Sequence, residues 1–285
     1  MNKLLLWCNL LAGTCFANMT WAQPNAILAD LDYQGRPLTT NLSKPFNITA
    51  GLGGRHLSVW ASHGLYYETK RNSWQWQRPP LFGTNEDLFT PTIVLSYLIP
   101  MLEKSGAIVL SPRERDLQTE EVVVDNDAKN SHLYKEKNGL HHWRNTSSSG
   151  FANPRATYVD GENPFTMGTA RMARTVKREE KRSEVAFTPL IKNEGEKAVY
   201  VCYQTLPEST DNAQYTVYHK GQATTFSVNQ RMGGGTWVYL GTFDFGEGYS
   251  KNNCVVLNNV CSKDGVVTAD AVRFGGGMGN IRRGE

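Results

Sequence analysis

The sequence predicts an α+β chain in two parts: an N-terminal α/β region with a parallel sheet, then a C-terminal antiparallel β-sandwich. Three observations predict it. Between His56 and Leu110 the apolar pattern reads strand, helix, strand, and two parallel strands need such a crossover. Between Ala198 and Phe274 short runs of alternating character follow one another across Gly, Asn and Asp turns, the grammar of a sandwich. With 285 residues, of which 40% are hydrophobic and 20% charged, the chain can bury a sizeable core, and two domains are the ordinary expectation. Thirty basic residues against 27 acidic leave a net charge of +3. That balance argues against a nucleic-acid partner.

The first elements concern the compartment. Lys3 supplies a positive start, Leu4–Phe16 an apolar stretch, and Thr20-x-Ala22 before Gln23 a small-residue cleavage site. Met1–Ala22 is therefore expected to be a signal peptide, cut after Ala22 or after Ala17, and the mature chain to be periplasmic or extracellular. No later run approaches the ~18 apolar residues of a membrane helix, so no membrane partner is expected after cleavage. Cys202, Cys254 and Cys261 remain. Cys254 and Cys261 flank a turn-rich segment and either pair across it or join Cys202 as buried thiols. No CxxC…CxxC pattern supports a structural zinc.

The strand expected at residues 56–62, HLSVWAS, ends at His63-Gly64. A polar, aromatic loop follows. Thr84 or Asn85 caps the next helix, with Glu86 and Asp87 in its first turn. Leu88, Phe89, Thr92, Leu95, Ile99 and Leu102 give it an apolar face. Pro91 lies early enough to be tolerated, and Pro100 is expected to kink it. Lys104-Ser105-Gly106 stops the helix, and Ala107–Leu110 forms the second strand. His63 closes a strand and Glu86 opens a helix, and both positions border the crevice where α/β sheets place their sites. An imidazole and a carboxylate are ordinary zinc ligands, but a hydrolytic zinc needs a third protein ligand. The alternative is a surface histidine beside a helix-capping glutamate. His132, His141 and His142 come later, but His141-His142-Trp143 runs into Arg144–Ser149, which reads as a loop. The mixed charges of Arg171–Arg182 read as a solvated surface.

In the C-terminal half, Gly233–Gly235 permits a tight turn into a strand. Trp237 and Tyr239 then share one face of it. Trp237 is either a core aromatic or a stacking platform for a sugar. Gln230 either bonds a sugar hydroxyl or ties down its loop. Asp270 and Arg273 fall on opposite faces and are expected to find partners on neighbouring strands.

Two resemblances extend this reading. HLSVWASHGLYYE, NEDLFTPTIVLSYLIPMLEKSGAIVLSPRERD and EVVVDND resemble the first half of zinc-dependent N-acetylmuramoyl-L-alanine amidases, notably divergent members in large secreted proteins labelled xanthan lyase. Over roughly residues 50–165 the resemblance implies His63 and Glu86 as the first two zinc ligands, with structural pairing for Arg113 and Asp116. A second histidine ligand and a late glutamate base find no match. An incomplete zinc site on a truncated lobe, without assignable catalytic residues, is therefore expected. QYTVYHKG, FSVNQRMGGGTWVYLGTFDFGEG and VVTADAVRFGGG are similar to the golvesin and xanthan-lyase carbohydrate-binding-like domain, from about Phe165 to Gly277. The implied organisation is a signal peptide over 1–22, the amidase-like lobe over 23–164, the sandwich over 165–277 and a tail over 278–285. The implied function is a binding or accessory module for peptidoglycan or another polysaccharide, with Trp237, Tyr239 and Gln230 as ligand contacts. Zinc-dependent amide hydrolysis, or association with a polysaccharide lyase, is the alternative.

Overall fold

The Val-, Tyr-, Thr- and Phe-rich runs form antiparallel strands in facing sheets. The structure, a computed structural model, describes residues 35–61, 65–68, 70–71, 73–111, 120–128, 132–152 and 162–276. One sheet has six strands, in the order β1 (Thr39–Asn41), β14 (Gln222–Val228), β13 (Ala213–His219), β17 (Cys254–Asn258), β10 (Glu184–Phe187) and β7 (Tyr134–Lys137). A second has four: β15 (Val238–Phe245), β12 (Gly195–Val201), β19 (Ala271–Gly275) and β6 (Glu121–Asp125). A third joins β18 (Val266–Ala269), β9 (Gly168–Arg174) and β8 (Arg144–Gly150). A short pair, β11 (Leu190–Ile191) with β16 (Gly248–Tyr249), completes this part.

Period-two alternation builds the core. Val199 and Val201 of β12, Val272 and Phe274 of β19 and Val124 of β6 point inward. They meet Val185 and Phe187 of β10, Tyr215 and Val217 of β13, Phe226 of β14 and Leu257 of β17. Phe245 and Phe274 pack edge to face, 5.4 Å between ring centroids. Gly233 and Gly235, at φ 74° and 70°, make the turn before β15 that an L side chain would strain.

The sandwich takes in strands well before residue 165. EVVVDND, the run that resembled an amidase strand, forms β6 and pairs with β19, Val123 opposite Arg273. β7 pairs with β10 and β1 with β14. Arg144–Gly150 is strand β8 rather than a loop. Its register against β9 shifts between Asn145 and Ser149, so its polar middle lies on a bulged, solvated edge. The three cysteines are free and buried. Cys254 donates to the Lys251 carbonyl at 3.2 Å and Cys261 to that of Asn212 at 3.2 Å, so the expected alternative of a bridge between them does not form.

The strand–helix–strand pattern is present at small scale. β2 (His56–Ser58) and β5 (Ile108–Leu110) pair in parallel. Both are shorter than the apolar runs that predicted them. A hairpin, β3 (Leu65–Glu68) with β4 (Ser73–Trp76), lies between β2 and the helix in sequence. Asn85 caps α1 (Glu86–Ile93), its side chain accepting the Asp87 N–H at 2.9 Å. A π-helical turn over Val94–Leu98 precedes α2 (Ile99–Lys104). Pro100 has no N–H to donate, and the widened turn just before it absorbs the expected kink. The extra residue also shifts the helix phase. Inward positions run Asp87, Pro91, Val94, then Ile99. Leu88 and Phe89, expected on the buried face, are exposed instead.

From Arg36 onward the chain clusters as one unit. The parallel pair joins the sandwich through the Leu38 N–H, which donates to His56 Nε2 at 2.9 Å, and through Ile108, which packs on the main core.

Candidate functional site

Alternation along β7 puts Tyr134 and Glu136 on one face. In the register of β8 and β9, Asn145 stands opposite Arg171, and Thr169 shares the Arg171 side of β9. The turn after β6 adds Asn126 and Asp127. Together these side chains line an open cleft of about 440 Å³.

Its polar groups are held in place. Arg171 Nε donates to Glu136 Oε1 at 2.6 Å and its Nη2 to Oε2 at 3.0 Å, a two-point pair between β9 and β7. Arg171 Nη1 also donates to Asn145 Oδ1. The Tyr134 hydroxyl donates to Glu136 Oε1 at 2.9 Å. Burial first, then the Glu136 charge, pushes that hydroxyl above the usual tyrosine range, so it stays a neutral donor. The hydrogen bonds to Glu136 raise Arg171 and hold it cationic. Thr169 donates its hydroxyl to Asp127 Oδ1 at 2.7 Å and accepts from Asn126 Nδ2 at 2.9 Å. The Tyr134 ring packs edge-on against Phe187, 5.3 Å away. Such a groove presents pre-oriented planar donors and acceptors to a hydroxyl-rich ligand. On the other side of the β8–β9 pair, a smaller pocket of about 270 Å³ is lined by Arg144, Met172 and Arg174 with Glu208 and Asp264.

The residues singled out from sequence have other surroundings. Gln230 has no exposed surface. Its Nε2 donates to the Thr268 carbonyl at 2.7 Å and to the Tyr215 hydroxyl at 3.1 Å, and its Oε1 accepts the Thr268 N–H at 2.8 Å. In this position it ties down its loop, the second of the two expected roles. Trp237 packs against Phe151 at 4.9 Å and Phe165 at 5.8 Å. The Arg273 guanidinium lies 5.0 Å from its ring centroid and 4.3 Å from that of Tyr200. Tyr239 stacks on Tyr200 at 5.4 Å, and its hydroxyl pairs with Thr242 Oγ1 at 2.8 Å. These rings form an aromatic layer over a buried arginine on the outer face of the four-stranded sheet.

Asp270, just before β19, accepts the Phe151 N–H at 2.9 Å and bonds Gln204 at 3.4 Å. Burial pushes its carboxyl up to about 7, and burial with the nearby Asp270 charge does the same to Asp125. Asp270 and Arg273 thus have separate partners, Arg273 on the neighbouring strand β12 and Asp270 in the segments that follow β8 and β12.

His63, Arg113 and Asp116 lie outside the described residues. Glu86 is exposed, in the first turn of α1. Among the described residues, which do not include His63, no group of three or more His, Cys, Asp or Glu could hold a metal. The His132 ring stacks at 5.9 Å on Tyr249. The His141 carbonyl accepts the Ser183 hydroxyl, and His142 is exposed.

The cleft residues were missed because β8 was read as a loop and Tyr134–Lys137 carries almost no apolar signal. One signal was present: Tyr134-x-Glu136 alternates as a strand does.

The fold defines a β-sandwich module, and part of the chain is similar to a known family. Residues 143–276 match the Golvesin C-terminal domain, beginning earlier than the expected start at residue 165. Xanthan lyase of Bacillus sp. (strain GL1) is 36% identical over 90 residues, which is 32% of this chain and 10% of that enzyme. The chain thus spans about a tenth of that relative. Among solved structures, a Paenibacillus xanthan lyase aligns with a TM-score of 0.41 and 23% identity, over 54% of this chain and 13% of that one. A xylan-binding domain from CBM 22 aligns with a TM-score of 0.26 and 7% identity, over 55% of this chain and 92% of that one.

Proposed function

We propose that this protein is a glycan-associated module and that the cleft between β7 and the β8–β9 pair holds polysaccharide. The carrying observation is the Tyr134–Glu136–Arg171–Asn145 network, which fixes planar polar groups along an open groove. Sugar hydroxyls need several donors and acceptors at set angles, and groups already held in place lose little entropy on binding. The sequence similarity to a xanthan lyase supports a polysaccharide ligand. We further propose that Met1–Ala22 exports the protein and that peptidoglycan is one of the polysaccharides it meets.

Retention on insoluble glucan, xylan and purified peptidoglycan tests the reading. Wild type should be retained by at least one of them, with an affinity on the order of 1 mM, about 4 kcal/mol. Asn145→Ala and Arg171→Ala should lose retention while keeping a native circular dichroism spectrum. Loss of retention in Trp237→Ala alone would move the site to the aromatic layer.

One observation favours a second reading, zinc-dependent amide hydrolysis. The parallel pairing of β2 and β5 directs the Glu86 end of the helix toward the carboxyl ends of those strands. One zinc per chain and release of stem peptide, both lost in His63→Ala, would establish it. A metal-free protein would remove it.

A further inference from the structure

The charges of the cleft point to its class of ligand, an inference that rests on the glycan reading. We propose that the cleft selects neutral polysaccharide and disfavours chains bearing carboxylates or sulfates. Arg171 is the one basic side chain among the cleft-lining residues. Its guanidinium edge is occupied by both oxygens of Glu136 and by Asn145, and both members of the ion pair are mostly buried, 22% and 18% exposed. A two-point pair of this kind leaves the arginine little capacity to neutralise an incoming anion.

Asp127 adds a second carboxylate on the exposed rim, bonded to the Thr169 hydroxyl at 2.7 Å. Two acids against one base give the cleft a negative balance. A uronate or sulfate there would face Asp127 without a counter-charge and would lose its own hydration. What the cleft offers instead is neutral. Asn126 and Asn145 contribute amides and Tyr134 and Thr169 hydroxyls to its lining, groups that exchange hydrogen bonds with sugar hydroxyls. Two further basic side chains of β8 and β9 lie on the other side. Arg144 and Arg174 line the other pocket, because neighbouring positions on β8 and β9 point to opposite faces.

The test uses the full protein in native gels containing matched polymers: hydroxyethylcellulose against carboxymethylcellulose, and dextran against dextran sulfate. At least one neutral polymer should retard the protein, and its charged counterpart should do so about tenfold less. Asp127→Asn, which keeps an oxygen for Thr169, should raise retardation by the charged polymer about two- to fivefold. Equal or stronger retardation by a charged polymer, lost in Arg171→Ala, overturns the selectivity but leaves the cleft as a glycan site. Charged-polymer binding that survives Arg171→Ala and disappears in Arg144→Ala/Arg174→Ala overturns it too, and moves binding to the other pocket. Retention by none of these polymers, nor by the insoluble glycans above, overturns the glycan reading itself.

Discussion

In the sandwich, Val201, Val217, Phe245 and Phe274 have no exposed surface, and even Arg273 is 1% exposed. In the strand–helix–strand unit, Phe89, Ile93, Tyr97 and Met101, spaced four apart, are 63%, 46%, 66% and 65% exposed. The contrast follows from the lengths of the strands. Strands of up to eight residues on facing sheets cover both inner faces. Two three-residue parallel strands cover only one side of a helix. The same apolar content therefore yields a dense interior in one region and an uncovered stripe in the other. Local stability should follow that burial.

The largest expected effect tests the dense side. Phe245→Ala should cost about 3–5 kcal/mol and lower the main thermal transition. Ile99→Ala removes an equally buried side chain from the helix unit. It should speed hydrogen exchange over residues 86–110 while moving the main transition much less. If both variants shift one common transition equally, the two regions unfold together and the comparison fails.

Gln230→Ala should cost about 1–3 kcal/mol, since the Thr268 N–H loses its acceptor inside the sandwich. Retention on glycan by the folded fraction should be unchanged, and a specific loss of retention would return Gln230 to the binding site.

Asp270 gives a smaller, pH-dependent effect. Its pKa is raised from 3.8 to about 7, so the folded protein holds the proton more tightly than the unfolded chain. The resulting stability is full below pH 3.8 and is lost as pH rises to about 7. Asp270→Asn resembles the protonated form at every pH. The melting temperature of wild type minus that of the variant should therefore be larger at pH 5 than at pH 8. Burial lowers the pKa of His56 and His219, which act in the opposite sense, and taking the difference between proteins removes their contribution. A difference that grows with pH would refute the assignment.

The smallest effect belongs to the uncovered stripe. Met101→Ser should change stability by no more than about 0.5 kcal/mol. A larger loss would mean that the stripe is covered in solution.

Alternation and turn chemistry made the strands after Ala198 readable, because β13 and β15 alternate between buried and more exposed positions. Capping made the start of the helix readable at Asn85, and Pro100 marked its irregular point. The phase of the helix was hidden, because a π turn inserts one residue into a pattern that otherwise repeats as 3.6. β7 and β8 were hidden for another reason. YKEK and RNTSSSG carry almost no apolar signal, and they become strands through pairing with β10 and β9. The cleft was hidden with them, since it is built from residues far apart in sequence. Trp237 and Tyr239 were conspicuous as aromatics, but Trp237 lies against Arg273 and Tyr239 against Tyr200.

β1 is only three residues long, yet it occupies the edge of the six-stranded sheet. Thr39–Asn41 pair with Phe226–Val228, and the Leu42 N–H reaches the Thr225 carbonyl at 2.8 Å. At the opposite edge β7 does the same for β10. The stretch that matches the Golvesin C-terminal domain, residues 143–276, contains neither of these strands, nor β6. A protein trimmed to that stretch would leave β14, β10 and β19 with unpaired backbone groups, open to the strands of other chains. Such a fragment should self-associate at concentrations where the longer chain stays dispersed, and the uncovered edges of β10 and β14 would be the first places to look for the contact.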